Sequence, residues 1–357
     1  MGVISPIAQA RPTREAVRPA LERMVDRAGF ARDEASRFWR IFDLLTRESL
    51  DFAPSELANR FSGICRDGTP WQFCAVTGSP SLPIRFLTEV GCPQSRLRQR
   101  TALTLIRIAE VFELVGAPGY GKIADVLAGL TPQDDDHIAG LWVGVAVGAA
   151  VRPRLRLYAN NGWGDTTARW LRLIGAMRRL NAGQFGASLQ PLVPLLLPAF
   201  SPVGFAVTVP ASPLLCKLYL RPIGRPWSAI RELARTVLAS RADGFIAAIE
   251  NGMGRPLEAL PDRAVLVSVA GFASGGPLDL KLDLCGHCLF NDDTEAAIAI
   301  ERLSLSLALD ASPYRVTIED LGEPATLPGN RVAFVGVGGN ANGGDRINVY
   351  LAPSAFA

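Results

Sequence analysis

The 357-residue chain is predicted to fold as an α+β protein. The expected architecture is a ten-stranded antiparallel β-barrel of five ααββ-type repeats, with helices outside and a solvent-filled lumen for a ligand. Three observations carry that prediction. Five pairs of segments alternate apolar and polar residues with a period of two, and each pair is joined by a turn rich in Gly, Pro or Asn, the signal of a β-hairpin. The second strands share a polar or basic anchor at Arg85, Arg156, Lys217, Lys281 and Asn348, with intervals of 71, 61, 64 and 67 residues, a repeat of about 65 residues. Ten such strands in an open sheet would leave exposed edges, and closure removes them. One domain spanning 1–357 is expected.

The chain begins helical, over about 13–60. "TREAVRPALERMVDRAGF" and "RDEASRFWRIFDLLTRES" carry apolar residues at helical spacing, with weak caps at Thr13 and Asp33. The first hairpin, at 68–90, pairs "GTPWQFCAVTG" with "LPIRFLTEV"; a long helix over Gln94–Val115 follows. The second hairpin, at 140–160, pairs "GLWVGVAVGAA" with "PRLRLYAN" and precedes the helix "DTTARWLRLIGAMRRL". The third, at 203–222, pairs "VGFAVTVPA" with "LLCKLYLRP" and precedes "WSAIRELARTVLASR". The fourth, at 263–286, pairs "RAVLVSVAG" with "LDLKLDLCG" and precedes "DTEAAIAIERLSLSLAL"; the fifth, at 331–353, pairs "RVAFVGVGG" with "DRINVYLAP".

Composition bounds the function. Hydrophobic residues make up 48% and charged residues 20% of the chain, which suits a globular protein with a substantial core. A net charge of +3 is too small to argue for a nucleic-acid or membrane-surface partner. The first residues lack the apolar run of a signal peptide. Leu189–Pro210 is long and apolar, but five prolines interrupt it, so it reads as a loop entering a strand. Leu141–Val151 is too short to span a bilayer. A cytoplasmic protein is expected, with its six cysteines as free thiols. "CGHC", Cys285–Cys288, has no second Cys/His pair nearby, since the other histidine is His137; structural zinc ordinarily takes four such ligands, so no metal site is expected.

Residues two apart on a strand share a face. If Leu218 and Leu220 face the helices, Lys217 and Tyr219 face the lumen. The same parity turns Arg85, Arg154, Arg156, Tyr158, Lys281, Asp283, Arg346, Asn348 and Tyr350 inward, while "VGVAVGAA", "VSVAG" and "FVGVGG" on the first strands keep the walls small. Cations gathered in an interior call for an anion, and diphosphate suits Lys and Arg. Tyrosines one pleat further along suit a cationic organic fragment. The combination points to ionisation of an allylic diphosphate, with cations holding the leaving group and aromatic rings sheltering the carbocation. A non-enzymatic barrel binding an anionic amphipathic small molecule fits the same pattern.

These residues resemble the aromatic prenyltransferases of the dimethylallyltryptophan synthase type. The resemblance starts at "LERMVDRAGFARDEASRFWRIF", sharpens at "SGICRDGTPWQFCAVTGSPSLPIRFLTEVG" and continues through "LRLYAN", "CKLYL", "LKLDLCGHC" and "INVYLAP". It implies the ABBA, or prenyltransferase, barrel. It implies a diphosphate site at Arg85, Arg156 and Lys217, with Lys281 and Arg346 as further contacts, and a carbocation shield of Tyr158, Tyr219 and Tyr350. The implied donor is dimethylallyl diphosphate or a longer prenyl diphosphate. The implied acceptor is a small aromatic compound, an indole or tryptophan derivative first and a phenol or other scaffold second. No cofactor is required, Mg2+ being at most stimulatory. The chain departs from the family in three places. Gln72 stands for a Glu that accepts the indole N–H and helps take up a proton, and a carboxamide is a far poorer base. Leu215 stands for an Arg. Asp283 stands for a shield tyrosine, and is expected to pair with Lys281, to orient an amine or phenol, or to accept the arenium proton. His287, with the parity of Asp283, is a second candidate base. "DDD" at Asp134–Asp136 and "NDDTE" at Asn291–Glu295 read as loops or helix starts.

Overall fold

A computed structural model describes residues 13–50, 62, 64–65, 69–77, 84–92, 95–117, 120–132, 134, 137, 139–149, 151–211, 213–224, 227–322 and 330–352. Ten strands close into one antiparallel barrel in which every strand pairs with its sequence neighbours and β1 closes on β10. The hairpins are β1 (Trp71–Thr77) with β2 (Ile84–Thr88), β3 (Leu141–Gly148) with β4 (Val151–Asn160), β5 (Phe200–Val209) with β6 (Leu215–Pro222), β7 (Val265–Phe272) with β8 (Asp279–Cys285), and β9 (Val332–Asn340) with β10 (Gly343–Leu351). Because neighbours alternate in direction, the five even-numbered strands run the same way along the barrel.

Helices α1 (Thr13–Arg27) and α2 (Arg32–Thr46) precede the barrel; α3 (Leu97–Val115) and α4 (Tyr120–Ala128) follow β2, and α5 (Thr166–Arg179), α6 (Gly183–Leu189) and α7 (Val193–Ala199) follow β4. Then come α8 (Trp227–Leu238) and α9 (Ala242–Met253) after β6, and α10 (Gly286–Leu289), α11 (Asp293–Ser306) and α12 (Ser312–Leu321) after β8. The last part of the expected N-terminal helical region, 51–60, the turn at 78–83, and residues 135 and 136 of the acidic run lie outside the described residues. Caps are local. The Asp165 carboxylate accepts the Ala168 N–H at 2.9 Å, and the Asp292 carboxylate accepts the Glu295 N–H at 2.8 Å, each satisfying one of the unpaired donors of a first helical turn.

The core lies between the barrel wall and the helices. Leu218 and Leu220 are fully buried there with Val143, Val267, Leu280, Leu282, Val335 and Val349. The α2 side chains Phe38 and Phe42 pack edge-on against Phe86, and Phe42 against Trp71 with ring centroids 5.9 Å apart, a favoured aromatic geometry. Truncating such a ring costs about 3–5 kcal/mol.

Two expectations are corrected. Leu189–Pro210 is not a loop before its strand. It ends α6, passes through a 3-10 turn at Gln190–Leu192 and forms α7 before β5 starts at Phe200. Pro191 and Pro194 sit in first turns, where the missing N–H would have had no helical partner anyway. His287 does not share the face of Asp283, because the strand ends at Cys285 and α10 begins at Gly286. Gly286 itself is required there: a Cβ would collide with the Val332 backbone, its carbonyl carbon being 2.8 Å away. All six cysteines are free thiols. Among the described residues, no helix is long and apolar enough to cross a membrane.

Candidate active site in the barrel lumen

The even strands place their lumen-facing side chains in successive rings. The first ring is cationic. Arg156 Nε donates to Thr208 Oγ1 at 3.0 Å, and Arg85 holds its buried Nε without a hydrogen-bond partner among the described residues. Lys217 is 5% exposed and sits 5.0 Å from the centre of the Tyr219 ring. Burial, then the neighbouring Lys281 charge, pushes the Lys217 ammonium well below its ordinary value. The other two predicted cations are already occupied. Lys281 pairs with Asp283 and donates to the Tyr350 hydroxyl at 2.8 Å. Arg346 grips both oxygens of Asp279, one contact at 2.8 Å. For Lys281, burial disfavours the charge, but the Asp283 carboxylate and the Tyr350 phenol together outweigh it and hold the ammonium above its usual range. Arg154 has the lumen parity yet stands exposed toward the start of β4.

The second ring is aromatic. Tyr158 and Tyr219 stand with centroids 5.8 Å apart, and Lys281 Nζ lies 4.8 Å from the Tyr350 ring centre. Burial pushes the Tyr350 phenol up to about 12 and that of Tyr219 well up, so both rings are neutral at ordinary pH and present electron-rich faces. Asp283 completes this ring where a fourth tyrosine is absent, held by Lys281. Small residues make room, as the first strands promised. A Cβ at Gly336 would strike the Asp283 carboxylate and come within 2.8 Å of Lys281 Nζ; one at Gly144 would come within 3.1 Å of Tyr158.

Beyond the tyrosines opens a cavity of about 480 Å³, lined by Gln72, Leu87, Trp142, Tyr158, Asn160, Arg169, Tyr219, Arg221, Leu266, Asp283, Phe334 and Tyr350 among others. Gln72 is 2% exposed, and its Nε2 donates to the Ile64 carbonyl. The amide oxygen is thereby left as the acceptor of that side chain. Just past the end of β2, with the parity of the lumen-facing Arg85 and Leu87, Glu89 accepts from Trp142 Nε1 at 3.2 Å, Ser62 Oγ at 2.9 Å and Arg100 at 3.1 Å. Burial lifts its carboxyl to about 7 despite Arg100. The arrangement can hold an anion at one end, shelter a cation in the middle and stack a flat aromatic molecule at the other.

The lumen thus gathers Gln72, Arg85, Arg156, Lys217, Lys281, Arg346, Asp283, Tyr158, Tyr219 and Tyr350, while His287 stands apart in α10. Sequence reasoning passed over Trp142, Asn160, Arg221 and Asp279, although strand parity selects all four. Arg169 comes from helix α5, where no strand parity applies, and Glu89, which has the parity of Arg85 and Leu87, lies just past the end of β2 and reaches the cavity through Trp142.

No family model matches the chain, and no curated protein matches it. Solved structures do. The chain is similar to 5-dimethylallyltryptophan synthase from Streptomyces coelicolor, at 17% identity over 98% of this chain and 99% of that one, with a TM-score of 0.80. The fold is the prenyltransferase barrel. The 6-dimethylallyltryptophan synthase from Micromonospora olivasterospora, solved with DMASPP and Trp, shares this prenyltransferase barrel at 19% identity, covering 97% of this chain and 98% of that one, with a TM-score of 0.79. AnaPT from Neosartorya fischeri aligns over 98% of this chain and 95% of its own at 13% identity and a TM-score of 0.74. A closed ten-stranded barrel with five helix-linked hairpins is therefore common to all of them, and the lumen is where the chain's own residues must be read.

Proposed function

We propose that the protein is an aromatic prenyltransferase that moves a dimethylallyl group from dimethylallyl diphosphate to an electron-rich aromatic acceptor of the indole class, tryptophan or a derivative. The observation that carries this reading is the stacked order on β6: Lys217, a cation without a hydrogen-bond or ion-pair partner among the described residues, is followed, on the same face, by Tyr219 and then by an open aromatic cavity. The similarity to structures of enzymes that prenylate tryptophan, one of them solved with DMASPP and Trp, supports it.

In this mechanism the diphosphate lies against Arg85, Arg156 and Lys217, the cations without a carboxylate partner among the described residues. The donor's C–O bond breaks, and the electron pair leaves with the diphosphate. Fixed positive charges stabilise that leaving group in a site that excludes water. The allylic cation rests against Tyr158, Tyr219 and Tyr350, whose faces attract it. The acceptor ring attacks, forming the new C–C bond, and the resulting arenium gives up its proton. The Gln72 amide oxygen accepts the ring N–H and orients the acceptor but does not take the proton. Asp283, at the cavity wall, is the carboxylate placed to receive it. In this reading Lys281 serves to hold Asp283 and Tyr350, and Arg346 to neutralise Asp279. The residues need no metal to bind the diphosphate, because guanidinium and ammonium groups supply the charge.

The test is incubation of the full chain with dimethylallyl diphosphate and L-tryptophan, other indoles and simple phenols, read by mass spectrometry. The expected product carries one dimethylallyl group in place of one hydrogen. Absence of that product with every acceptor and prenyl donor length would overturn the reading.

A further inference from the structure

The motif Cys285-Gly286-His287-Cys288 takes no part in the proposed transfer. Strand β8 ends at Cys285 and α10 begins at Gly286, so the two cysteines stand three residues apart on one tight turn. That turn is held from several sides. Gly286 packs so closely on Val332 that no Cβ fits. Asn330 Nδ2 donates to the Phe290 carbonyl at 2.6 Å and Arg255 to the Leu289 carbonyl at 3.1 Å, satisfying acceptors that a single helical turn leaves open. The Cys285 N–H donates to the Ala264 carbonyl at 2.7 Å and pins the strand end.

Within this frame the two sulfurs meet. The Cys285 and Cys288 thiols hydrogen-bond each other, and the backbone N–H groups of His287 and Cys288 donate to Cys285 Sγ. Access to the two differs. Cys65 and Cys216 are buried and Cys74, Cys92 and Cys285 half-buried, so Cys288 is the exposed thiol among the described cysteines. Burial, then the Cys288 thiol, pushes the Cys285 thiol up to about 11, so Cys285 stays protonated at ordinary pH while Cys288 meets solvent. A disulfide needs Cα atoms about 4.4–6.8 Å apart and sulfurs about 2.05 Å apart. Residues three apart on a helical turn are neighbours, and the exposed Cys288 side chain can turn to close the remaining gap.

We propose that Cys285 and Cys288 form a dithiol site that exchanges with small disulfides, represented by glutathione disulfide, with Cys288 attacking and Cys285 resolving. The Cys288 thiolate, its proton given to solvent, attacks one sulfur of the disulfide; the S–S bond breaks and one thiolate leaves and is protonated. Cys285 Sγ then gives up its proton and attacks Cys288 Sγ, and the second thiolate leaves and is protonated. Two protein thiols are oxidised to one disulfide, and one small disulfide is reduced to two thiols. The site lies at the rim of the lumen: Cys285 pairs in register with Phe334, a residue of the cavity wall, and stands one pleat beyond Asp283 on the same face.

The experiment incubates the full-length protein with graded ratios of glutathione disulfide to glutathione, quenches with acid, alkylates the remaining thiols under denaturing conditions and reads intact and peptide masses. Wild type is expected to lose two hydrogens, with Cys285 linked to Cys288 and the other four cysteines alkylated, and dithiothreitol should reverse the change. Cys285→Ser should stop at the mixed disulfide, with one glutathione on Cys288. Cys288→Ser, altered at an exposed position, should take up glutathione more slowly than Cys285→Ser by about tenfold or more. A wild type that keeps both thiols at every ratio, a disulfide linking other cysteines instead, or equal glutathione uptake by the two Ser variants would each overturn the proposal. The wild-type result decides the matter alone if either variant unfolds. No prenyl donor or acceptor is present, so failure of the transferase reading would leave this result untouched.

Discussion

Lys217 lies 5.0 Å from the centre of the Tyr219 ring and has no carboxylate or hydrogen-bond partner among the described residues. A buried ammonium in that position is held chiefly by what binds next to it. The pair therefore joins the chemistry of the leaving group to that of the carbocation within one strand.

The first prediction follows from the depressed Lys217 value. A bound diphosphate favours the charged ammonium, so the pKa in the complex lies above that of the free protein. Between the two values binding takes up a proton, and affinity falls as pH rises; below the free value the effect vanishes. Isothermal titration of pyrophosphate in buffers of different ionisation heat measures the uptake. Lys217→Met should remove the Lys217 contribution and weaken binding by about 1.5–3 kcal/mol, the worth of a hydrogen bond to a charged group. Equal proton uptake in wild type and variant would refute the assignment.

Lys281 and Asp283 are expected to behave as one unit. Their side chains are 1% and 6% exposed, so removing one partner strands the other. Lys281→Met should cost about 3–5 kcal/mol in urea unfolding, whereas Lys281→Met combined with Asp283→Leu should recover most of it. Single and double variants of equal stability would show the pair to be uncoupled. The double variant should still bind pyrophosphate, since the lumen keeps Arg85, Arg156 and Lys217.

Glu89 gives a stability signature. Its carboxyl is raised from 4.5 to about 7 in the folded protein, so between those values the folded state binds more protons than the unfolded one. Stability from this group is then full at low pH and is lost as pH rises through about 7, by on the order of 3 kcal/mol. Urea midpoints of wild type and Glu89→Gln, compared at about pH 5 and about pH 8, measure it. The difference between the two proteins should shift in favour of the variant at the higher pH; a pH-independent difference counts against the shift. The Gln amide oxygen keeps an acceptor for Trp142, so the ring's position is preserved.

The barrel was legible because two signals coincide in each hairpin: period-two alternation and a turn rich in Gly, Pro or Asn. The lumen face was legible for the same reason, and parity alone places Lys217, Tyr219, Lys281 and Tyr350. Helices were read less completely. α4, α6, α9, α10 and α12 escaped notice, and α7 was concealed by its prolines, Pro194 in the first turn and Pro198 further along. Partnering was the harder matter. Parity puts Arg346 in the lumen but does not reveal that Asp279, on β8 across the intervening β9 and 67 residues away in sequence, already neutralises it. Nor does it bring Arg169, from a helix, to the same mouth as Arg221.

The common direction of the even strands has one more consequence. Each of them carries its lumen residues as every second letter, so the chemistry of the barrel is written in a reading frame. A substitution changes one ring and leaves the rest in place, which lets the acceptor end be altered without touching the leaving-group end. A one-residue insertion between Leu215 and Lys217 is different in kind: it would turn Lys217, Tyr219 and Arg221 together toward the helices and bring Leu218 and Leu220 into the lumen. For this protein, deletions and insertions within the even strands are frameshifts of function even where they spare the fold.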